Sequence, residues 1–491
     1  MNNIPFICII VSMATAVCLL LLGKNNKAGL TITLCVMGLV AVLSFLLIPY
    51  FISNGGTITY MLGHYPAPWG NELRFGLFES VLAFVFATVL ILAIIGGRLD
   101  ILEDVQSRKQ CQYFALLMLL LLSLLALIYT NDIFTAYVFI EINTVASCGI
   151  VMAKESGETI RATIKYLFMS LMASGLFLIS IAILYSVTGH LLIPSLYEAI
   201  QGLASSGQYT WPLFTACLLM TISLGVKSAM FPFHTWLPDA HGTATTASSS
   251  ILSGVVVKGY IILLIKIYYR VFGIESVRSL GILNAVLWLG MAGMIFGSIY
   301  AIKEKNLKRM IAYSSVAQIG YIYAGIGIGT YAGIAAALFH MIVHAYTKPL
   351  LFSSAGGLIR ASNHSKMIAD MTGAARRNKL AGIGFLIGTL SMVGVPLFGG
   401  FASKVYLAQS SFDSGYAFLV ALAISSFLNA LYYLPVLFRI YSKPTDEVVV
   451  ENETADLSYA LSIGCFSVIN IVLGCAGIYV MHLLSQGVQI L

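Results

Sequence analysis

Apolar stretches of about 20 residues recur along the chain, and they constrain its fold more than any other feature. Each stretch is long enough to cross roughly 30 Å of hydrocarbon as a helix. Hydrophobic residues make up 59% of the chain and charged residues only 10%, whereas a soluble globular chain is about a quarter charged. The polar interruptions are too short to hold a folded soluble domain. The sequence therefore predicts an all-α integral membrane protein.

The apolar stretches divide into fourteen predicted spans, at residues 4–22, 29–51, 76–97, 111–129, 131–152, 161–187, 211–231, 243–270, 279–301, 308–328, 331–358, 380–411, 415–440 and 459–486. An even number places both termini on the same side. With both termini outside, nineteen Lys and Arg residues fall on the inner side and three, Arg74, Arg270 and Arg278, on the outer side. This asymmetry follows the positive-inside rule. We therefore predict a multi-pass protein of the cell membrane with both termini outside.

The sequence shows no pattern typical of a catalytic or cofactor site. The net charge of +7 is spread over short loops without a basic arm, so nucleic acid is not an expected partner. The eight cysteines form no CxxC pair and predict neither a disulfide framework nor a redox centre. Phosphate-binding loops, serine elbows and HExxH motifs are absent from the sequence. We expect no cofactor, no metal and no catalytic residue in this chain.

Two prolines, Pro232 and Pro396, follow or interrupt predicted spans, and each lies close to a lysine. Proline removes an N–H group and clashes one turn back, so both helices are predicted to break. The prolines are about five spans apart, so two successive five-helix units would have opposite orientations, as in inverted-repeat transporters. The predicted divisions are helices 1–3 (1–110), helices 4–8 as the first unit (111–270), helices 9–13 as the second (279–440), and a C-terminal loop and helix (441–491).

Four ionisable residues lie well inside predicted spans or beside the breaks: Glu141, Lys227, Lys258 and Lys404. A charge at mid-helix costs roughly 2.5–3.5 kcal/mol, so we expect these residues to be functional. Glu141 is predicted to pair with a lysine across helices, and a static structural ion pair is the alternative. A buried lysine can release its proton whereas an arginine does not, which makes the lysines candidate proton carriers. Snorkelling to the interface is the alternative for the lysines, and it is the expectation for Lys266.

His340, His344 and Lys348 recur at i, i+4 and i+8 and form one polar stripe on a predicted helix. A proton wire suits histidine, which titrates near neutral pH. Hydrogen-bonded histidines that hold helices together are the alternative, and no neighbouring acid completes a zinc site.

Three further residues are candidates for accessory roles. His234 and His241 flank Pro238 before the eighth predicted span and are candidates for a gate where protons enter. Glu79, near the outer start of the third span, is a candidate exit carboxylate or a contact with another subunit.

The run Phe231-Pro-Phe-His-Thr-Trp-Leu-Pro-Asp-Ala-His241, followed by Ser253-Gly-Val-Val-Val-Lys-Gly-Tyr260, resembles the signature of the antiporter-like subunits. These occur in respiratory complex I, Mrp-type multisubunit cation/proton antiporters and membrane-bound hydrogenases. The resemblance implies that Glu141 and Lys227 form a coupled pair, that Lys258 is a connecting site and that Lys404 is the terminal site. It also places His340 and His344 on the central hydrophilic axis. Lysine at 404 resembles the D-type Mrp subunit, whereas residues 242–250 lack the proline-containing stretch usual in the family.

The residues and the resemblance together predict an ion-translocating subunit of a multisubunit membrane complex. It would move protons, or exchange protons for sodium ions, and its partners would be other membrane subunits and the lipid bilayer. The alternative is a proton-pumping subunit of a redox-driven complex, either an NADH or ferredoxin:quinone oxidoreductase or a membrane-bound hydrogenase. An organic-solute carrier is a third alternative, but nothing in the sequence indicates a dedicated substrate cavity.

Overall fold

The structure is a computed structural model, and it describes residues 1–23, 25–65, 70–412, 416–443 and 456–490. Most of the described chain is helical. Twelve of the described helices are long and apolar enough to cross a membrane. Most of the loop predicted at the start of the 441–491 division lies outside the described residues. The protein is therefore a many-helix integral membrane protein.

The helices and strands of the first half are α1 (Ile4–Leu21), α2 (Asn26–Asn54), β1 (Thr57–Met61), β2 (Glu72–Gly76), α3 (Leu77–Gly96), α4 (Arg98–Asp104), α5 (Gln110–Tyr129), α6 (Ile133–Met152), α7 (Gly157–Thr188), α8 (Ile193–Ser206), α9 (Thr210–Lys227), α10 (Leu237–Thr243) and α11 (Thr246–Val271). Helix α11 contains two π-helical segments, Leu252–Val256 and Ile267–Val271. Such segments widen the helix locally and leave carbonyl groups free for side chains.

The helices of the second half are α12 (Ile274–Ser279), α13 (Ile282–Lys303), α14 (Leu307–Gly327), α15 (Tyr331–Arg360), α16 (Ala374–Arg377), α17 (Lys379–Val393), α18 (Gly399–Ser410), α19 (Tyr416–Tyr441), α20 (Leu457–Cys475) and α21 (Gly477–Gln489). The predicted span 380–411 is thus two helices, α17 and α18. Helix α14 is long but carries several Ser, Tyr and Gln side chains, and it is not among the twelve apolar helices. The count of fourteen spans therefore stays a prediction.

The prediction of an all-α chain is wrong at one place. Strands β1 and β2 form an antiparallel hairpin, with Thr57 opposite Gly76 and Met61 opposite Glu72. Alternating Ile58 and Tyr60 give β1 the period-2 pattern of a strand, but the segment is too short to stand out beside the apolar helices. The hairpin is held to the helices because the backbone N–H of Asn131 donates to the carbonyl oxygen of Glu72 at 3.0 Å. We call this end of the molecule the hairpin end.

The helices are interrupted near both prolines. Helix α9 ends at Lys227, and Pro232 lies in the non-α-helical segment before α10. Helix α17 ends at Val393 and α18 begins at Gly399, with Pro396 between them. Each interruption frees backbone carbonyl groups at membrane depth, which must then find donors inside the protein.

Helices α11 and α15 form the centre of the molecule. Every residue in the most apolar 18-residue segment of each of these two helices is buried within the protein. In outer helices such as α1 and α13, only a third to a half of the residues in that segment are buried. Their side chains therefore face other helices and not lipid. These two helices carry Lys258, His340, His344 and Lys348.

Candidate ion-translocation site

Glu141 and Lys227 come together at the end of the broken helix α9. The Lys227 Nζ and Glu141 Oε1 atoms are 4.0 Å apart, the lysine is buried and the glutamate side chain is 29% exposed. Lys227 Nζ donates a hydrogen bond to Thr144 Oγ1 at 2.8 Å and lies 5.6 Å from the centre of the Tyr260 ring. Thr144 follows Glu141 by three residues and faces the same side of α6. The ammonium group thus has two partners on one helix face.

The break after Lys227 is stabilised by side chains from neighbouring segments. Trp236 Nε1 donates to the carbonyl oxygen of Val226 at 2.9 Å, and the Ser228 hydroxyl is 2.6 Å from Tyr323 Oη. Lys227 is the last residue of α9, where the negative end of the helix dipole favours a cation. The break therefore places the Lys227 ammonium group at the negative end of α9 and beside Glu141.

Lys258 and His344 join the two central helices. The Lys258 Nζ and His344 Nδ1 atoms are 2.6 Å apart, and Nζ also donates to the carbonyl oxygen of Ser253, in the π-helical segment. An ammonium group has three donors and no acceptor, so the bond to the histidine requires a neutral ring nitrogen as acceptor. This contact is suited to passing a proton between α11 and α15.

His340 and Lys404 meet around Tyr321 and Ser403. The His340 ring stacks on Tyr321 with ring centres 5.2 Å apart, and its Nδ1 is 2.9 Å from the Ser403 hydroxyl. Lys404 Nζ lies 5.6 Å from the centre of the same Tyr321 ring. It also donates to the carbonyl oxygens of Met392 and Val393, each at 2.9 Å. Lys404 therefore binds the carbonyl groups that the second helix break frees.

Lys348 departs from the stripe that its spacing predicts. Its Nζ donates to the carbonyl oxygen of Ile311 at 3.0 Å and to the Ser314 hydroxyl, and Tyr433 Oη is 3.3 Å away. The side chain thus points to α14 and α19, whereas His344 points to α11. His340, His344 and Lys348 share one helix, but the described contacts do not join them to one another.

The accessory candidates lie deeper than the sequence indicated. His241 is fully buried against the Phe352 ring, at 4.7 Å between ring centres, and neither ring nitrogen has a hydrogen-bond partner among the described residues. His234 is also buried and stacks on Phe231 and Tyr300. Glu79 is buried beside Arg270, and both roles considered for it stay predictions.

One expectation about a basic residue is wrong. Lys266 does not snorkel along the surface, because it is fully buried and donates to the carbonyl oxygens of Leu127, Ile128 and Thr130. Arg270 lies at the hairpin end of α11, where its predicted span ends, and it is buried. Both residues find partners because the carbonyl groups that end α5 and the side chain of Asn131 lie beside the end of α11.

The sequence analysis missed a polar face on α14. Ser314 contacts Lys348, Ser315 is 3.1 Å from Ser253, and Tyr321 stacks on His340. Gln318 lies on the same face, and its buried amide has no hydrogen-bond partner among the described residues. Buried polar atoms of this kind are typical of positions that hold an ordered water. The three- and four-residue spacing of these positions was the available signal.

A second cluster lies at the end opposite the hairpin. Asp239 accepts hydrogen bonds from Lys165 Nζ at 2.7 Å and from Arg309 Nη1 at 2.6 Å, and so joins α7, α10 and α14. Burial raises the pKa of Asp239, but the hydrogen bonds from Lys165 and Arg309 outweigh it and hold the pKa below its ordinary value. The cluster lines a cavity of about 470 Å³ together with Arg161 and Lys366.

Asp239→Asn is expected to lower the stability of the protein by about 1 kcal/mol at neutral pH, because the pair is about a third exposed and partly screened. The wild-type carboxylate has a depressed pKa, so its contribution is present above the ordinary value of 3.8 and is lost as the pH falls through the lower native value. Thermal unfolding of wild type and variant at neutral pH and below pH 3.8 tests this prediction. Glu275→Gln, in the exposed pair with Arg278, is the control and is expected to change nothing.

No cluster of three or more His, Cys, Asp or Glu side chains suited to a metal ion occurs in the described part of the chain. The site contains a series of proton-bearing groups, all buried except the partly exposed Glu141. They form three contacts: Glu141 with Lys227, Lys258 with His344, and His340 with Lys404 through Tyr321. The fold and this series define the class of protein: an integral membrane protein with ionisable groups along its middle.

Residues 130–429 match the family described as NADH:quinone oxidoreductase/Mrp antiporter, TM. The chain therefore belongs to this family, and the resemblance seen in the Phe231–His241 motif is confirmed. The chain is 33% identical over 387 residues to NADH-quinone oxidoreductase subunit N of Desulforudis audaxviator, covering 78% of this chain and 75% of the relative. It is 26% identical over 432 residues to the D-type subunit of the Na⁺/H⁺ antiporter of Bacillus subtilis, covering 88% and 85%.

A solved structure shares the whole fold. The structure of the Mrp complex from Dietzia sp. contains a chain that superposes with a TM-score of 0.88 at 22% identity, covering 99% of this chain and 96% of the other. At this identity the likeness shows the fold alone. The arrangement of helices described above is therefore shared with a chain of that structure.

Proposed function

We propose that this chain is an ion-translocating subunit of a multisubunit membrane complex, moving protons or exchanging protons for sodium ions. The observation that carries the proposal is Lys227, buried at a helix break, 4.0 Å from Glu141 and hydrogen-bonded to Thr144. When Glu141 moves closer, it stabilises the protonated lysine. When it withdraws, the buried lysine loses its counter-charge and releases its proton.

The proton would then pass along the middle of the protein. In this proposal Lys258 and His344 carry it between α11 and α15, and His340 and Lys404 carry it to the second break. No direct hydrogen bond among the described residues links Lys227 to Lys258 or His344 to His340, so water is the expected bridge. The unpaired amide of Gln318, on the polar face of α14, supports this expectation.

The proposal includes the predicted membrane arrangement: fourteen spans, two inverted five-helix units and both termini outside the cell membrane. Support comes from the contacts between loops. Segments predicted outside meet at the hairpin end, where Leu73 pairs with Thr130 and Asp132 with Leu192. Segments predicted inside meet at the opposite end, where Asn306 pairs with Met367. Helix breaks beside Lys227 and Lys404, one in each unit, support the repeat.

Lys227→Ala and Glu141→Ala test the proposal. Each is expected to abolish ion movement by the assembled complex, because either change removes one partner of the switch. The complex is reconstituted into liposomes, and internal pH is followed with a dye after a Na⁺ gradient or the native electron donor is applied. Lys305→Ala, at an exposed loop position, is the matched control. Full ion movement in both variants would exclude the proposal.

A second candidate is a proton-pumping subunit of a redox-driven complex. The 33% identity to NADH-quinone oxidoreductase subunit N favours it, and the same residues would then move protons while electrons pass through other subunits. Copurification separates the two candidates. Quinone-reductase or hydrogenase subunits in the purified complex would establish the redox-driven candidate, and small antiporter subunits would establish the antiporter.

A further inference from the structure

Helix α11 carries three cations, and the proposed relay uses only one of them. Lys266 follows Lys258 by eight residues and Arg270 follows Lys266 by four. At 1.5 Å per residue these steps are about 12 Å and about 6 Å along the helix axis. The three side chains therefore form a series from the middle of the protein to the hairpin end.

Lys266 occupies a buried site that binds an ammonium group. Its Nζ donates to the carbonyl oxygens of Leu127, Ile128 and Thr130 at 3.2, 2.8 and 2.7 Å. These carbonyl groups end α5, where the negative end of the helix dipole favours a cation. Each of the three N–H donors of the ammonium group therefore has a carbonyl acceptor. The fully buried ammonium group is also shielded from water.

Arg270 is held between Glu79 and Asn131. Its Nη2 donates to Asn131 Oδ1 at 2.5 Å, and its Nη1 is 3.7 Å from Glu79 Oε1. Glu79 is fixed in turn, because its Oε2 accepts a hydrogen bond from the backbone N–H of Gly76 at 2.9 Å. Asn131 donates to Glu72 Oε2 at 3.1 Å. The guanidinium group is thus positioned by the hairpin, by α3 and by the turn after α5.

A cavity of about 660 Å³ opens at the hairpin end beside this cluster. Arg270, Asn131 and Glu72 line the cavity, whereas Glu79 and Lys266 do not. Arg270 therefore forms part of the wall between the cavity and the buried interior. A positive charge in a narrow passage excludes protons and other cations.

We propose that Arg270, held by Glu79, is an electrostatic gate that closes a proton route between this cavity and Lys266, and through Lys266 to Lys258. The route rests on the proposed function only in its last step, because Lys258 belongs to the relay. While Glu79 and Asn131 hold the guanidinium group, it blocks this route, since arginine does not release its proton. Movement of Arg270 away from Glu79 into the cavity opens the route.

The test is passive proton leak through the assembled complex. Liposomes that contain the complex and a pH dye receive an acid pulse without a Na⁺ gradient or an electron donor, and the membrane potential is clamped with K⁺ and valinomycin. Arg270→Gln and Glu79→Gln are each expected to speed the decay of the pH difference severalfold. Arg278→Gln is the matched control, because Arg278 forms an exposed ion pair with Glu275 at the same end, and it is expected to leak no more than wild type.

Lys266→Met identifies the route. Combined with Arg270→Gln it is expected to return the leak to the wild-type rate, because the next proton-bearing group is gone. Unchanged leak in both single variants would overturn the gate, and so would a leak that Lys266→Met does not suppress. Failure of both single variants to assemble would also overturn it, because the pair would then be structural. Transport driven by a Na⁺ gradient or by the native electron donor is measured separately in Lys227→Ala. The proposed function can therefore fail while the gate proposal stands, and the gate proposal can fail while the proposed function stands.

Discussion

Lys258→Met is expected to reduce ion translocation by on the order of 100-fold or more, the range for loss of a positioned proton-transfer group. Lys258 Nζ is 2.6 Å from His344 Nδ1, and this contact links α11 to α15. A methionine fills similar space but carries no proton, so transfer between the two helices stops. The measurement is the rate of internal pH change in liposomes that contain the assembled complex.

Lys258→Arg separates a proton carrier from a fixed charge. Arginine keeps the positive charge but does not give up its proton, so a carrier role predicts that this variant fails as well. Transport at the wild-type rate in Lys258→Arg would contradict the relay at this position. Lys305→Met, at an exposed loop position, is the control and is expected to transport normally.

The second large effect concerns the break between α17 and α18. Gly400→Ala is expected to destabilise the protein by about 3 kcal/mol or more, at or above the upper end of the usual cost of overpacking. A methyl group at Gly400 would overlap the backbone carbonyl oxygen of Ser391, which cannot rotate away as a side chain would. The measurements are the thermal unfolding midpoint of the purified complex and the amount of complex in the membrane.

Gly464→Ala is the matched control for this prediction. Gly464 lies in the membrane helix α20, and an added methyl group there meets open space. Alanine favours a helix over glycine by roughly 1 kcal/mol, so the control variant should be as stable as wild type or more stable. Equal stability of the two variants would show that α18 does not pack against Ser391 as described.

The sequence was sufficient for the membrane class, and it identified ionisable candidate residues whose part in ion movement stays a prediction. The length of the apolar stretches located the helices, because a helix needs about 20 apolar residues to cross the hydrocarbon. The cost of burying a charge in the membrane identified Glu141, Lys227, Lys258 and Lys404 as candidates. The breaks near Pro232 and Pro396 followed from the missing N–H group of proline. The motif around His234 and His241 then gave the family, which the match over residues 130–429 confirms.

The partners of these residues were not predictable in the same way. Lys266 is buried because the carbonyl groups that end α5 lie beside it, and that depends on how two helices pack. Lys348 likewise contacts Ser314 of α14, and does not continue the stripe of His340 and His344, because of how α14 and α15 pack. Hydropathy and spacing describe one helix at a time, whereas these contacts depend on the rotation and depth of a second helix. The hairpin was missed because β1 and β2 have only five residues each.

The complete burial of α15 has a consequence for how the protein is made. This helix has a mean hydropathy of only 1.3 in its membrane-crossing window, and it carries two histidines and a lysine. A nascent helix of this composition inserts poorly by itself, since each buried charge adds a cost when lipid is the only neighbour. Its favourable surroundings are the other helices, which include α18 and α20 synthesised after it. Stable insertion of the centre of this protein is therefore a late event, which waits for helices that have not yet left the ribosome.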